Sequence, residues 1–477
     1  MNRFFCISAI LLCLFLASCG MPPAPSQSSA AEEPSPAEQP QPVVLISDTG
    51  DSMKLMPDTE SIVLDGNSFV QSLSEQAFLL RGLRSISFSD GSSFSKNDIA
   101  ALRSSFPNTE ILYNVIISGN VIPPDSSALD LSDCSSADMP ELVRELPKLE
   151  LLESVNLIPS DSVCDSEDFA EESKNGLVTD AGFSPEDVKL LCETCPDIFF
   201  KWKFLLYGKA VSTEDERLEY VNCSLIGDEG LDNFRRILPA MSRLSYLLLD
   251  NCGTTSESMA TLRDEFPEIK TVWRVWFGYY GQCGDGVWAT YNCLTDTEKI
   301  WATGNCRDDT TADLKYCTDV RYLDMGHNVM TNIDFINYMP KLEVCVLSIT
   351  YIDDLSPFAN CPDLEFLELF RTYASDLSPL ANCSKLEHLY VYDEHRVGLT
   401  DISPVMGLNS LKRFYCTMAD GTESQTEEFI RLHPDCETDF TWVFIGYTHW
   451  RTINGVYAER YALLREQIGY DRNEYSR

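Results

Sequence analysis

The chain has 477 residues and an apolar fraction of 44%, which is enough to build one large core or two domains. Its 74 acidic and 36 basic residues give a formal net charge of −38, so its field repels a phosphate backbone and we expect no nucleic-acid partner. Beyond the N-terminus no apolar span reaches 18 residues, which predicts no internal transmembrane helix.

The first residues have the pattern of an export signal. Arg3 precedes an apolar stretch, Phe4 to Leu16, that is too short to span a bilayer as a mature helix. The following Leu-Ala-Ser-Cys, which ends at Cys19, resembles the signal box of bacterial lipoproteins. That resemblance implies a signal peptide over 1–19 and a diacylglyceryl thioether on Cys19. The alternative is an ordinary signal peptide with an incidental cysteine.

The lipoprotein interpretation predicts an exported protein that is anchored by lipid alone to the outer face of the bacterial cell membrane, or to an outer membrane. Residues 20–42 consist mainly of Pro, Ser, Ala, Glu and Gln, with almost nothing to bury. Such a composition favours extended, disordered chain at about 3.1 Å per residue. We therefore interpret 20–42 as a tether between the lipid and the folded part.

Residues 43–300 contain long, irregular repeats. An apolar-x-x-apolar-x-apolar phrase at 59–64 and again at 83–88 predicts strands, and residues 95–106 and 231–238 have helical periodicity. A second unit, a proline followed by a long apolar or aromatic run that ends in glycine, occurs at Pro107–Gly119, Pro196–Gly208, Pro267–Gly278 and Pro434–Gly446. We expect the run after each proline to be a long strand, and the first two units to be strand–turn–strand insertions that widen the sheet locally.

The most regular part of the chain covers 301–440. Val320, Leu342, Leu364 and Leu386 are 22 residues apart, and each opens the same strand phrase. Twenty-two residues leave too little chain for a full helix in each repeat, so the connections should be single helical or 3₁₀ turns. A Ser-Pro pair at 356, 378 and 403 predicts that serine caps each turn, and Asp334 is expected to do so in the preceding repeat.

Two further features of the folded part follow from residue spacing. After removal of Cys6, Cys13 and the lipid-bearing Cys19, fifteen of the 18 cysteines remain, and we expect most to be small buried thiols, with one or two disulfides possible.

The tail, 441–477, contains an amphipathic segment, 457–470, that predicts a helical, aromatic cap over the last open repeat.

The strand phrase and its Asn/Cys ladder resemble those of leucine-rich repeat proteins, and the whole layout is similar to leucine-rich repeat lipoproteins of Gram-positive anaerobes. The resemblance covers roughly residues 59–440. It implies an α/β leucine-rich repeat solenoid with parallel strands on a concave face, helices and 3₁₀ turns on the convex face, irregular strand insertions and a C-terminal cap. It also implies binding rather than catalysis, by a monomer without a cofactor.

Between the leucines, alternate positions of each strand face the concave side. These positions are rich in aromatic and charged residues: Tyr322, Asp324, His327, Phe366, Glu368, Phe370, Arg371, His388, Tyr390, Tyr392, Asp393, Arg413 and Tyr415. One interpretation is a solvent-facing groove that binds a protein, peptide or glycan. The other is that the aromatic rings stack on each other and on the cap and only stabilise the sheet.

Catalytic and metal-binding patterns are weak. The five histidines are scattered, and a site built on His388 and His395 would have two histidines from one loop. Cys192 and Cys195 have redox spacing but lack a thioredoxin-like context. We therefore expect no enzyme, no cofactor and no metal.

Two functions remain open from the sequence. The first is a cell-surface protein that binds an external protein, peptide or glycan on its concave face. The second is a structural or assembly scaffold for another protein of the cell envelope. An aromatic or charged concave patch favours the first, and an apolar patch on the convex side or at an edge favours the second.

Overall fold

A computed structural model describes residues 41–165, 173–180, 182–278, 282–283, 286–287, 291–393, 398–440, 450–453 and 456–469. The predicted signal peptide, Cys19, almost all of the tether and His395 lie outside these ranges. The described chain divides into two compact units. The first comprises the residues up to Phe88 together with Asn97–Leu112, and the second comprises Ser89–Lys96 and the residues from Tyr113 onward.

Short strands alternate with helices and 3₁₀ turns along both units. The described strands are β1 (Val43–Ile46), β2 (Ser52–Leu55), β3 (Ser61–Gly66), β4 (Ser85–Ser93), β5 (Glu110–Leu112), β6 (Val115–Ile117), β7 (Asn120–Ile122), β8 (Ala128–Asp130), β9 (Ser154–Asn156), β10 (Leu177–Thr179), β11 (Phe199–Lys201), β12 (Lys203–Leu206), β13 (Lys209–Ser212), β14 (Arg217–Val221), β15 (Tyr246–Asp250), β16 (Lys270–Phe277), β17 (Gln282–Cys283), β18 (Gly286–Val287), β19 (Tyr291–Leu294), β20 (Lys299–Trp301), β21 (Tyr322–Asp324), β22 (Val344–Val346), β23 (Phe366–Thr372), β24 (His388–Asp393), β25 (Arg413–Cys416), β26 (Glu437–Asp439), β27 (Thr452–Ile453) and β28 (Val456–Tyr457).

The described α-helices are fewer than the strands, and they have 6 to 11 residues each. Those described are α1 (Val70–Glu75), α2 (Lys96–Ser105), α3 (Met139–Glu145), α4 (Pro185–Thr194), α5 (Gly227–Ile237), α6 (Ser256–Glu265), α7 (Glu423–Leu432) and α8 (Glu459–Ile468). The regular repeats use 3₁₀ turns instead, at Ala312–Tyr316, Asp334–Tyr338, Ser356–Asn360, Ser378–Asn382 and Ser403–Val405. Within the described ranges, no helix is both long enough and apolar enough to cross a bilayer.

The 22-residue period produces one parallel sheet of seven strands, in the order β20 to β26. Its register pairs Leu323 with Cys345, Cys345 with Leu367, and Leu367 with Leu389, so equivalent residues of successive repeats are neighbours. All four side chains are fully buried. Because the phrase repeats at the period of the strands, the leucines stack into one continuous core. The predicted fold class, an α/β leucine-rich repeat solenoid, is confirmed.

A ladder of polar side chains forms hydrogen bonds with backbone groups where the strands end. Asn328 donates to the carbonyl oxygens of Ala302, at 2.6 Å, and Met325, at 2.7 Å, and it accepts from the Cys306 amide. Thr350 and Thr372 occupy the same position in the next two repeats, and each donates to a carbonyl three residues earlier. In the longer repeats the buried Cys252 thiol donates to the carbonyl oxygens of Tyr220 and Asp250.

The expectation that serine caps the 3₁₀ turns is wrong. Ser356, Ser378 and Ser403 are the first residues of their turns, and the residue that caps each turn lies two positions earlier. Asp354, Asp376 and Asp401 accept from the amides of these serines at 2.8–2.9 Å. An aspartate carboxylate at this position satisfies the free amide and also carries the charge that a turn's N-terminus favours.

The proline-led units are only partly as predicted. The second unit does not form one long strand but breaks at Trp202, so that β11 continues a parallel sheet with β9 while β12 forms an antiparallel hairpin with β13. The third unit, β16, stays continuous and pairs with β15 on one side and antiparallel with β19 on the other. The last unit is described only as far as Phe440, and its residues Glu437–Asp439 form β26, which pairs parallel with β25.

In four successive repeats of the regular region, one residue at or after the end of the strand phrase has a left-handed backbone conformation. Its φ is +65° at Asn305, +60° at His327, +62° at Ile349 and +57° at Arg371, and these residues are 22 apart. Asparagine and histidine tolerate this region, whereas a β-branched residue there is strained by about 1–3 kcal/mol. The repeat geometry therefore imposes a conformation for which Ile349 is poorly suited.

We predict that Ile349→Asn raises the free energy of unfolding by about 1 kcal/mol, because asparagine relieves the backbone strain that isoleucine bears there. Urea unfolding followed by tryptophan fluorescence measures the change. Ile349→Leu is the control, since leucine removes the β-branch but keeps a large side chain at positive φ. Equal stability of all three proteins would show that the backbone strain at this position is negligible.

Candidate functional site

The concave face, defined here as the face of β20–β26 opposite the leucine core, is covered by the chain itself. The C-terminal segment, residues 450–453 and 456–469, packs on this face, and its helix α8 contacts β20, β21 and β22. The predicted helix therefore forms, but the expectation that it caps the last repeat is wrong. It lies over the first strands of the regular sheet, where its apolar side chains find an apolar surface.

That surface is a small hydrophobic cluster with members from both sides. The sheet contributes Tyr322, Val344, Val346 and Phe366, and the C-terminal segment contributes Trp450, Tyr461 and Leu464. All seven side chains are buried, which corresponds to about 1.5–3 kcal/mol for each large apolar side chain removed from water. The two valines occupy strand positions that normally face solvent, so their apolar character is a sequence signal that the concave face is covered.

Trp450 is the central aromatic contact of this cover. Its ring centroid lies 5.0 Å from that of Tyr390, 5.3 Å from Tyr415 and 5.6 Å from Phe366. Its carbonyl oxygen accepts from the buried Arg413 guanidinium, which also pairs with Glu437 at 3.0 Å. These rings thus stack on each other and on the C-terminal segment, which is the second of the two interpretations of the aromatic positions.

A buried ion pair joins the segment to the middle of the sheet. Glu368 is completely buried, and Arg451 donates to both of its carboxylate oxygens, at 2.6 and 2.9 Å. Trp450 Nε1 and Ser348 Oγ complete the set of donors, at 3.1 and 2.7 Å. Burial lowers the pKa of Arg451, but the contact with Glu368 outweighs it, and the net pKa shift is upward. The guanidinium therefore stays charged opposite this carboxylate.

The predicted site residues fall into three groups. The expectation that they face solvent is wrong for seven of them, which are buried: Tyr322, Asp324, Phe366, Glu368, Phe370, His388 and Arg413. Tyr390, Tyr392 and Tyr415 are half-buried, while His327 and Arg371 are exposed. Asp393 ends β24, and its side chain is outside the described part. The physical reason is common to the buried set, because the C-terminal segment and neighbouring aromatic rings cover the strand centres.

Two buried ionisable residues on this face have shifted pKa values. Burial, together with the nearby Glu368 charge, raises the pKa of Asp324 to about 7. Burial and the neighbouring Arg413 lower the pKa of His388 to about 4, and within the described part of the chain its Nδ1 has no hydrogen-bond partner. Both groups are therefore held toward their neutral forms by the same cover.

A polar cavity of about 260 Å³ lies between the strand ends and the C-terminal segment. Asp324, His327 and Ser348 line it from the sheet, and Arg451, Tyr461 and Arg465 line it from the segment. Asp324 and His327 were predicted as ligand-binding residues, whereas the segment's residues were missed. Nothing in the 22-residue period indicates them, since they lie beyond the repeats and reach the sheet only in the folded chain.

A second surface lies beside the cavity, on the side where the strands end. We define the exit stripe as Val329, Tyr351 and Tyr373, which occupy the same position of three consecutive repeats, with the exposed Arg371 beside them. Val329 is 65% exposed and Tyr351 is 51% exposed. The rings of Tyr351 and Tyr373 stack with their centroids 5.6 Å apart. The stripe therefore presents aromatic and apolar area to solvent.

Redox and metal chemistry gain no support from the described residues. Burial raises the pKa of both Cys192 and Cys195 to about 11, so neither thiol readily forms the reactive thiolate. The fourteen cysteines assigned in the described part are free thiols. His388 is buried under the segment, and no group of three His, Cys, Asp or Glu side chains in the described ranges is placed to hold a metal ion.

No family model and no curated protein matches the chain. Among solved structures it is similar to an internalin of Listeria monocytogenes, with 16% identity, 81% of this chain and 82% of that chain covered, and a TM-score of 0.27. An internalin C2 of the same species matches with 14% identity, 71% and 89% coverage, and a TM-score of 0.19. A leucine-rich repeat protein of Leptospira interrogans matches with 12% identity, 76% and 91% coverage, and a TM-score of 0.23. The assignment of the repeat fold therefore depends on the chain's own period and strand register.

We predict that Arg451→Ala lowers the free energy of unfolding by about 3–5 kcal/mol, because it leaves the fully buried Glu368 carboxylate without its counter-charge. Arg321→Ala is the matched control. It breaks a pair with Glu343 in which both partners keep solvent contact, and it should cost at most about 1 kcal/mol. Urea unfolding of the two variants measures both values, and equal losses would contradict the assigned role of the buried pair.

We also predict opposite pH dependences for two variants. Because the pKa of Asp324 is raised in the folded state, its contribution to stability is complete below pH 4 and is lost as pH rises toward 7. Because the pKa of His388 is lowered, its contribution is complete above pH 6.5 and is lost as pH falls toward 4. Each shift corresponds to roughly 3–4 kcal/mol, so in the wild type the two nearly cancel over this range.

Relative to wild type, His388→Phe should therefore become more stable as pH falls from 7 to 5, and Asp324→Asn should become less stable. Unfolding curves at pH 5, 6, 7 and 8 measure both differences. If the stability of both variants changes with pH in parallel with that of the wild type, then burial under the C-terminal segment shifts the pKa of neither group.

Proposed function

We propose that this chain is an exported, lipid-anchored protein-interaction scaffold that docks a protein partner on the exit stripe. The observation that carries the proposal is the stacked, half-exposed pair Tyr351 and Tyr373 beside Val329, at one position of consecutive repeats. Tyrosine and arginine are enriched at the centres of protein interfaces, where they supply contact area at low entropic cost.

The covered concave face changes the balance between the two functions left open by the sequence. A peptide or glycan in a groove over β21–β23 would compete with Trp450 and Tyr461, which already fill that surface. An exposed stripe at the strand ends is instead an edge patch, and it favours a scaffold that holds a folded protein of the cell envelope. Export and attachment through Cys19 rest on the signal-box resemblance and the tether, and they place this partner outside the cytoplasm.

The test places a photo-crosslinking amino acid at Tyr351 in intact cells, with the same amino acid at Tyr338 as the control. Tyr338 is 53% exposed but lies in the 3₁₀ turn Asp334–Tyr338, away from the strand ends. We expect a discrete cross-linked protein from position 351 and none from position 338. Equal cross-linking from both positions, or from neither, would count against docking on the exit stripe.

The captured protein then allows a quantitative prediction. The double variant Tyr351→Ser, Tyr373→Ser should weaken its affinity at least about tenfold, since loss of an interface aromatic typically costs 1–2 kcal/mol or more. Tyr338→Ser should leave the affinity unchanged. Melting temperatures of the variants control for folding, and an affinity of the double variant equal to that of wild type would refute the proposed surface.

A further inference from the structure

The cavity under the C-terminal segment contains a carboxylate that the protein leaves incompletely satisfied. Asp324 is only 5% exposed, and its Oδ1 accepts from the Gly326 amide at 3.0 Å. This is the one side-chain hydrogen bond of Asp324 within the described residues. Asp324 lines the cavity, and its Oδ2 is not one of the fully buried side-chain atoms without a partner. A buried polar group without a partner costs about 1–3 kcal/mol, and a charged one costs more.

The neighbouring carboxylate shows that this is not a general feature of the sheet. Glu368, on a strand of the same face, has donors from Ser348, Trp450 and Arg451. The fold thus supplies a complete set of donors to one buried acid and a single amide to the other. The free side of Asp324 faces the cavity, so a donor located there would complete its hydrogen bonds.

The opposite wall carries the opposite charge. Arg451 and Arg465, both from the C-terminal segment, line the cavity across from Asp324, together with the ring of Tyr461. The sheet side therefore presents an acid. The segment side presents two guanidinium groups, of which Arg451 already pairs with Glu368, and a guanidinium has five N–H donors, so it can donate to a second carboxylate as well. A volume of about 260 Å³ has room for a ligand of a few to about a dozen heavy atoms, or for several water molecules at about 30 Å³ each.

We propose that this cavity is a binding site for a small zwitterion of the amino-acid class, whose ammonium group donates to Asp324 and whose carboxylate faces Arg451 and Arg465. Such a ligand matches both walls at once, and it adds no net charge to the cavity. The site is distinct from the exit stripe, because Val329, Tyr351 and Tyr373 are not among the residues that line the cavity.

The proposal has a consequence for pH. An ammonium ligand binds the ionised form of Asp324, whose pKa in the empty site is raised to about 7 by burial and by Glu368. The other charged or titratable groups that face it are Arg451, Arg465 and Tyr461 on the segment and His327 at the strand end. Affinity should therefore rise by up to about tenfold per unit as pH increases from 5 to 7, and level off above that.

The experiment measures binding to the purified exported chain by calorimetry and thermal shift, with free L-amino acids and dipeptides as probes. We expect at least one of them to bind, and its N-acetyl derivative, which lacks the charged amine, to bind about 10–100-fold more weakly. Its carboxamide should also bind more weakly. If no probe binds at millimolar concentration, or if the N-acetyl form binds equally well, the proposal is wrong.

Two variants locate the site. Asp324→Asn keeps the shape of the side chain, removes the charge and should weaken binding at least about tenfold. Asp250→Asn is the matched control, because Asp250 is equally buried but pairs with Arg274 in the sheet of β14–β16. Melting curves confirm that each variant is folded. Undiminished binding by folded Asp324→Asn would overturn the assignment of the amine to this carboxylate.

Discussion

The constraint on which the regular repeats depend is the need to satisfy Glu368 in the middle of a strand. A carboxylate at that position would be solvated on an open leucine-rich repeat face. Here it is completely buried, so its charge must be balanced within the protein. Arg451 provides that balance from a segment that follows the last repeat by more than ten residues. The placement of the C-terminal segment is therefore part of the fold of the sheet and not an addition to it.

This contact reorganises the surface available for binding. With the segment in place, the centres of β21–β23 become an interior lined by valine, phenylalanine and tryptophan. Two kinds of surface remain on this side of the repeats: a polar cavity lined by Asp324 and an exposed stripe where the strands end. They differ in size, charge and access, so a small ligand and a macromolecular partner would use different parts of the same face.

Burial under the C-terminal segment shifts the pKa of two ionisable groups, Asp324 and His388. Asp324 and His388 lie on the same face, and burial of that face disfavours the charged form of each. Because one is an acid and the other a base, their effects on stability have opposite signs over the same pH range. The domain can thus bury both without a large net dependence on pH, provided that the C-terminal segment stays in place.

The sequence by itself determined the parallel sheet, its register and its core, because a 22-residue period of leucines admits one stacking in which every leucine is buried. It also predicted the terminal helix. What only the tertiary structure decided is where that helix goes, since amphipathicity predicts that one side is buried but not against what. The valines at 344 and 346, which are apolar at positions expected to face solvent, were the local sign of a cover. The partnership of Glu368 with Arg451, 83 residues away, depends on a long-range fold that no local pattern specifies.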